Sequence, residues 1–436
     1  MPESFLVINS FTFIICSLSA FSLFVPVFSG YMLALFMMIL SIASSLLSKS
    51  SDDIEAKKRF KEQLMPVTRA VCIFVILCTV ATLVVAVGSD VDIRGLGRGI
   101  SSLIIKHIIL WTWYLTFWWR LSQRAAYRQV FAYTFLSLAL VNLAYCILQR
   151  QFGVDWLHGF EGRLPEGRFS GGVFRVSGFM GHPLTLAYCQ ALASVAALGL
   201  SRSVVEKWEK FAWLIGSIGC AAVVLISGSR GPQLALILAF LISFPARSLV
   251  GRWKLTLLIT FLVGFLAVKY DIFARFTELT QSGMGGDARW VHWQVFWNIF
   301  TDNLWVGIGP GGRDAAISAY YLAFGHSDKI MLAHNAYLQY AAEYGVLGLL
   351  GLGYWIVSWC RLANSAPRVG RVLWALIFLI CFGALTQNNL QDSEFVLALT
   401  VWMMLLITVE VERGEPAAGR RAKAQDLLSR EGRKSP

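Results

Sequence analysis

Apolar runs separated by short polar segments extend along almost the whole chain. Each run is close to the roughly 20 residues that a helix needs to cross a bilayer. The pattern therefore predicts an all-α polytopic membrane protein with about twelve transmembrane helices. We place these spans at residues 4–27, 30–48, 69–89, 100–120, 129–149, 183–201, 211–228, 232–246, 254–270, 335–359, 371–386 and 395–411.

The predicted spans group residues 1–411 into a single transmembrane domain, followed by a basic tail at 412–436. Between spans nine and ten lies the long polar segment 270–334. This segment contains several Arg and His side chains and the glycine-rich turn 307–312. We therefore expect it to carry part of an active site.

The charged residues divide between the two sides of the predicted membrane. The chain has 38 Lys and Arg residues against 26 Asp and Glu residues, which gives a net charge of +12. Most of the basic residues lie in alternate loops and in the tail, and an excess of Lys and Arg marks the cytoplasmic side. This predicts that both termini are cytoplasmic and that segments 150–182 and 270–334 face outward. The same distribution explains the positive charge without nucleic acid as a partner.

The eight cysteines argue against a metal site or a disulfide framework. All of them lie within or beside apolar runs, and none has the spacing of metal ligands. We therefore expect neither a zinc site nor a structural disulfide.

Arginine on the outer side needs an explanation, because Lys and Arg normally concentrate on the cytoplasmic side. Arg163 and Arg175 either bind an anionic partner or pair with nearby acidic residues. Arg230 lies in a tight Ser-Arg-Gly turn, where a guanidinium suits a phosphate or diphosphate through paired hydrogen bonds. Contact with lipid head groups is the alternative for Arg230. Arg289 is predicted on a helix lying in the interface, as a second phosphate clamp or as a surface charge.

Other outer residues are suited to handling protons and sugars. His334 opens a long helix, and a neutral imidazole near pH 7 can accept a proton from a sugar hydroxyl. The alternative is a helix-terminal histidine that is satisfied by water. Amide and carboxylate side chains bind sugars, and the supporting candidates are Asn335, Asp287, His182, Arg313, Gln387, Asn388 and Asp392.

Several short motifs follow one another along the outer side. They are Ser229-Arg230-Gly231, Asp287-x-Arg289 followed by Trp293, Gly307-x-Gly309-Pro310-Gly311, His334-Asn335-x-x-Leu338, and Glu343-x-Gly345-x-x-Gly348. This ordered set resembles the O-antigen ligase and polymerase superfamily. The resemblance implies a GT-C-type glycosyltransferase of the bacterial inner membrane, with a periplasmic site and no metal or cofactor. It also implies a glycan on undecaprenyl diphosphate as donor and, for ligases, lipid A-core as acceptor.

The resemblance also suggests roles for individual residues. Arg230 and Arg289 fall on essential arginines of the superfamily and His334 on its essential histidine, whereas Arg163 and Arg175 lie in a more variable loop. We expect the arginines to stabilise the departing diphosphate and His334 to remove the acceptor proton in a single inverting displacement.

Three other functions share some of these features. An O-antigen polymerase and a protein O-oligosaccharyltransferase belong to the same superfamily, but the modest length of the chain favours the ligase. A flippase or exporter of polyprenol-linked glycans would place charged groups deep in several helices. Here the charged residues cluster at one face, which favours transfer over transport.

Overall fold

The computed structural model of the protein describes residues 54–88, 125–158, 169–170, 173–244, 288–310, 313–325 and 332–413, with a few single positions between 97 and 107. The predicted spans 4–27, 30–48 and 254–270, most of 100–120 and nearly all of the tail lie outside these residues. Within them the chain is almost entirely helical. The α-helices are α1 (Ile54–Gly88), α2 (Ala125–Phe152), α3 (Pro183–Ser203), α4 (Lys207–Ile226), α5 (Arg230–Ser243), α6 (Ala288–Asp302), α7 (Arg313–Ala323), α8 (Ala336–Ser365), α9 (Gly370–Thr386) and α10 (Ser393–Arg413).

Short elements complete the described ranges. Two 3-10 helices cover Trp156–His158 and Asn389–Gln391. Strand β1 (Phe169–Ser170) pairs antiparallel with β2 (Val173–Phe174), with Phe169 opposite Phe174.

Among the described residues, five segments are long and apolar enough to cross a membrane. They are Leu64–Val87, Arg128–Phe152, Pro183–Ser203, Lys207–Ile226 and Ala336–Ser365, and α5 and α9 are apolar but shorter. The prediction of a helical, polytopic membrane protein is therefore confirmed. The total of twelve spans stays a prediction.

Three local features differ from the prediction, and the first two have a clear physical reason. α1 begins at Ile54, before the predicted span 69–89, because its polar first turns are rich in strong helix formers. α5 ends at Ser243 rather than at residue 246, since Pro245 follows and favours the extended backbone seen at Phe244. Segment 270–334 also contains a second helix, α7, which the sequence pattern did not predict.

α3 lies at the centre of the bundle. Nearly all of its residues are buried, and it packs against α4, α5, α9 and α10. A small residue permits this close approach: a Cβ at Gly199 of α3 would lie 2.7 Å from the Val372 side chain of α9. The same holds between α4 and α2, where a Cβ at Gly216 would lie 2.5 Å from Phe135. Close backbone packing of this kind is typical of helices in membranes, where small side chains line the interfaces.

The bundle has a basic end, where the predicted cytoplasmic loops meet. Arg128 pairs with the buried Glu209. Arg202 lies 4.0 Å from the centroid of the Phe244 ring. Glu410 accepts hydrogen bonds from the backbone N–H groups of Arg368 and Val369 at 3.1 and 3.0 Å. The segments predicted to face outward therefore gather at the opposite end.

α8 is interrupted at Gly345, where φ is +62° and ψ is −154°. This conformation is essentially restricted to glycine. Residues 303–309, which we call the inserted loop, follow α6 and fit into the break. Four backbone hydrogen bonds join the two segments: Ile308 N to Ala342 O, Gly309 N to Glu343 O, Val346 N to Leu304 O and Leu347 N to Trp305 O.

Candidate active site

His334 lies immediately before α8 in a constrained backbone conformation. Its φ is +49°, and among the described residues it is the one non-glycine residue with a positive φ. Both neighbours are held in place. The backbone N–H of Ala333 donates to Gln339 Oε1 at 3.0 Å, and Asn335 Oδ1 accepts from the N–H groups of Tyr337 and Leu338, which caps the helix. Left-handed backbone at a non-glycine residue is frequent at functional sites, where the surrounding structure stabilises it.

The imidazole of His334 is arranged to accept a proton. Its Nδ1 lies 3.3 Å from Gln387 Oε1. A neutral ring that donates from Nδ1 to this oxygen carries its lone pair on Nε2. Burial lowers the pKa of His334 below its usual value, the hydrogen bond to Gln387 opposes this shift, and the positive charge of Arg289 adds to it. The ring is therefore neutral near pH 7, which is the form that acts as a base.

Arg289 approaches the site from α6. Arg289 is exposed, and its positive charge acts on both His334 and Tyr188. One turn further along α6, His292 is buried and its ring centroid lies 6.2 Å from that of His334. His292 Nδ1 also contacts the Tyr321 hydroxyl of α7. His292 was not among the predicted site residues, although its spacing from Arg289 places both residues on neighbouring turns of one helix.

Arg230 is the first residue of α5 rather than part of a loop. Ser229 precedes it, and its side chain makes no capping hydrogen bond to the helix. Instead, Ser229 Oγ accepts a hydrogen bond of 3.0 Å from Arg175 Nη2. Two of the predicted arginines therefore meet at the N-terminus of α5, the end of a helix that attracts anions.

The turn around Arg230 lies against Tyr188 and Thr386, beside the residue that is hydrogen-bonded to His334. A Cβ on Gly231 would lie 3.2 Å from Tyr188 Oη and 3.7 Å from Thr386 Oγ1, and these two hydroxyls are 2.6 Å apart. Thr386 is followed by Gln387, the partner of His334. The start of α5, the charge of Arg289 and the imidazole of His334 thus converge around Tyr188, Thr386 and Gln387.

Residues 215–353 match the family described as O-antigen ligase. The chain carries an O-antigen ligase family domain. This match confirms the superfamily resemblance and covers Arg230, Arg289 and His334. A comparison with curated proteins gives no match.

Arg175 and the segment from Gln387 to Asp392 lie outside the matched O-antigen ligase domain but are hydrogen-bonded to residues within it. The backbone around Arg175 is fixed by α2: Gln149 Oε1 accepts from the N–H groups of Ser177 and Gly178 at 3.2 and 2.8 Å. Asp155 Oδ2 accepts from the Ser177 hydroxyl at 3.1 Å. Asp155, an acidic residue near Arg163 and Arg175 in the sequence, therefore helps to fix the backbone that follows Arg175.

The other supporting candidates are structural neighbours of the O-antigen ligase domain. Asn388 Nδ2 donates to Gln339 Oε1 at 3.1 Å. Asp392 Oδ2 accepts from the Thr185 hydroxyl, which ties the start of α10 to α3. Burial and the charge of Asp392 raise the pKa of Glu394 to about 8. His182 caps α3, with its Nδ1 accepting from Leu184 N at 3.3 Å.

Three predicted site residues are not placed by the structure. Arg163 and Asp287 lie outside the described residues, and Arg313 begins α7 but its side chain is not described. Within the described ranges, no group of three or more His, Cys, Asp or Glu side chains is arranged to hold a metal ion.

Proposed function

We propose that the chain is an inverting, metal-independent glycosyltransferase that transfers O-antigen polysaccharide from undecaprenyl diphosphate to lipid A-core. The family match supports activity of the O-antigen ligase or polymerase type. The observation that carries the proposal is the convergence of the start of α5, the charge of Arg289 and the imidazole of His334. A diphosphate leaving group and a proton acceptor are the two requirements of the transfer, and these groups are suited to meet them.

The leaving group is a polyprenyl diphosphate, which departs with additional negative charge. The guanidinium groups of Arg230 and Arg289 stabilise this charge as it develops, and Arg175 and the N-terminus of α5 add to the positive potential. A guanidinium binds two phosphate oxygens through parallel hydrogen bonds, so it also orients the diphosphate. Removing one such donor typically lowers kcat by roughly 10²–10³-fold.

His334 acts on the acceptor. The acceptor hydroxyl approaches the anomeric carbon from the face opposite the diphosphate and transfers its proton to Nε2. The bond from the acceptor oxygen to the anomeric carbon forms while the bond to the diphosphate oxygen breaks, which inverts the configuration. General-base catalysis of this kind contributes roughly 10²–10⁴-fold. Gln387 keeps the ring in the tautomer whose lone pair is on Nε2.

The proposal includes a location and an architecture. The site lies on the periplasmic side of the inner membrane, both termini are cytoplasmic, and the complete bundle has about twelve spans in a GT-C-type arrangement. The gathering of Arg128, Arg202 and Arg368 at the end of the bundle remote from His334 supports this orientation, because basic residues concentrate on the cytoplasmic side.

A reconstituted reaction tests the proposal. Purified protein in detergent is mixed with a glycan on undecaprenyl diphosphate and with lipid A-core, and the product is followed by gel mobility and mass spectrometry. We expect lipid A-core to gain the glycan, with no loss of activity when a strong chelator is present. Loss of activity that magnesium restores would refute metal independence.

The same reaction distinguishes the alternatives. A polymerase would extend a second lipid-linked glycan, and a protein O-oligosaccharyltransferase would require a protein acceptor. A flippase would show no transfer in detergent, because transport needs two compartments. Any of these three outcomes, with lipid A-core unmodified, would refute the ligase assignment.

A further inference from the structure

A buried network of amide and carboxylate groups lies beneath His334. At its centre is Glu343, which is 3% exposed. Glu343 Oε1 accepts from Gln339 Nε2 at 2.6 Å, and Glu343 Oε2 accepts from Gln391 Nε2 at 2.7 Å. Gln339 is fully buried, and its Oε1 accepts from Ala333 N and from Asn388 Nδ2.

We propose that Glu343 is a positioning residue for the transfer reaction, because it fixes the amide orientation of Gln339 and thereby the two segments that carry His334 and Gln387. This inference rests on the proposed function. Glu343 does not contact the reacting atoms in this assignment; it acts through Gln339.

The orientation of Gln339 depends on what its amide nitrogen can reach. A glutamine amide has a donor end and an acceptor end, whereas a carboxylate only accepts. Since Glu343 presents an acceptor, the nitrogen of Gln339 points toward it and the oxygen points away. That oxygen then meets two donors, Ala333 N and Asn388 Nδ2, which are the residues adjacent to His334 and to Gln387. The side-chain amide of Gln339 therefore sets the positions of His334 and Gln387, which are hydrogen-bonded to each other.

A series of substitutions at position 343 separates this role from others. Glu343→Met has a similar length but no strong acceptor, so Gln339 is released and kcat should fall on the order of 10²-fold, the effect of a misplacement of about 1 Å. The KM for the donor should stay unchanged, since the arginines lie on other elements. Glu343→Gln retains an oxygen that can accept from Gln339, so it should keep most of the turnover.

A matched control uses a buried acid at the opposite end of the bundle. Glu410→Met also removes a buried acceptor, one that binds Arg368 N and Val369 N. Its kcat per folded molecule should equal that of the wild-type protein. The folded fraction of every variant is measured by size-exclusion chromatography and thermal unfolding.

Exchanging the side chains at positions 339 and 343 tests the proposal even if Glu343→Met does not fold. Gln339→Glu alone places two carboxylates against each other in the interior, which is unfavourable. The double variant Gln339→Glu with Glu343→Gln exchanges the amide and the carboxylate. The amide at position 343 would then donate to the carboxylate at position 339. We expect the double variant to be much more active than Gln339→Glu alone. Equal activity of the two would overturn the proposal.

A second readout does not depend on glycan transfer. Diethyl pyrocarbonate modifies accessible neutral imidazoles, and mass spectrometry reports the rate at His334. Glu343→Met should raise this rate at a fixed neutral pH, because the turn that holds His334 is released, while Glu410→Met should not. If the wild-type protein transfers no glycan, the proposed function fails, but this rate still tests the network. Wild-type turnover in Glu343→Met, or equal loss in Glu343→Met and Glu343→Gln, would refute a positioning role.

Discussion

The break in α8 can be tested by a single methyl group at Gly345. Gly345→Ala introduces a Cβ that would lie 2.5 Å from the Trp305 carbonyl oxygen. The contact is with backbone, so no side-chain rotation relieves it. The φ of +62° is also unfavourable for alanine. We expect the inserted loop to leave the break and α8 to straighten locally.

The loss of stability expected for Gly345→Ala follows from the interactions that the inserted loop makes. The strained backbone conformation costs roughly 1–3 kcal/mol for a residue with a Cβ. If the loop leaves, four backbone hydrogen bonds at about 0.5–1.5 kcal/mol each are lost, which is about 2–6 kcal/mol. α8 regains some of its own hydrogen bonds when it straightens, so a net destabilisation of a few kcal/mol is expected.

The assay is thermal unfolding of the purified protein in detergent, followed by tryptophan fluorescence, together with limited proteolysis of the loop. Gly353→Ala is the matched control, since it lies in the same helix and a Cβ there meets no atom within 4 Å. This control should be neutral or stabilising by roughly 0.5–1 kcal/mol. An unchanged Tm and unchanged proteolysis in Gly345→Ala would show that the inserted loop does not depend on the glycine conformation at position 345.

Three further outcomes follow from the site. His334→Ala should lower transfer by roughly 10²–10⁴-fold without loss of folding; near-normal turnover would remove the base assignment. Arg230→Lys keeps the charge but loses the paired hydrogen bonds, so transfer should fall on the order of 10²-fold; full activity would favour contact with lipid head groups. Arg289→Gln removes a positive charge near His334, so the pKa of His334 should rise and the imidazole should protonate at higher pH. The pH midpoint of His334 modification by diethyl pyrocarbonate measures this shift, with Arg289→Lys as the charge-preserving control, and an unchanged midpoint would show that the two groups are not coupled.

The sequence predicted the helices well because membrane spans have a strong and simple pattern. Eight predicted spans coincide with described helices, since about 20 apolar residues have few alternatives in a bilayer. It also singled out Arg230, Arg289 and His334. Arginines on the predicted outer side and a histidine at the start of a membrane helix are unusual, because charged and titratable groups are rare at such positions.

The contacts among these residues could not be read from the sequence. His334 pairs with Gln387, which follows a different helix, and this contact depends on the crossing of α8 and α9. The role of Ser229 as the acceptor for Arg175 depends on α2, which holds the backbone near Arg175. Such pairs arise from tertiary packing, on which periodicity and local propensity carry no information.

The inserted loop shows why the motif that begins at Gly307 and the motif that contains Gly345 occur in the same chain: the first fits into the helix break made by the second. A helix break within a membrane protein leaves backbone N–H and C=O groups that need partners, and each unsatisfied group costs several kcal/mol in an apolar environment. The loop supplies these partners through its own backbone, so any sequence with the right glycines could do so. Gly307 must also lack a side chain, since a Cβ there would lie 2.5 Å from Ala342 O.

The pairing of the inserted loop with α8 also connects two of the catalytic candidates, Arg289 and His334. The inserted loop begins directly after α6, which carries Arg289, and it is bonded to the turn of α8 that contains Glu343. Glu343 in turn holds Gln339 and, through it, the residue before His334. Backbone pairing therefore fixes the end of α6 against α8, and the buried side chains of Glu343 and Gln339 extend this connection to the residue before His334. It follows that Gly345→Ala should lower kcat in the fraction that stays folded, and that Gly353→Ala should not.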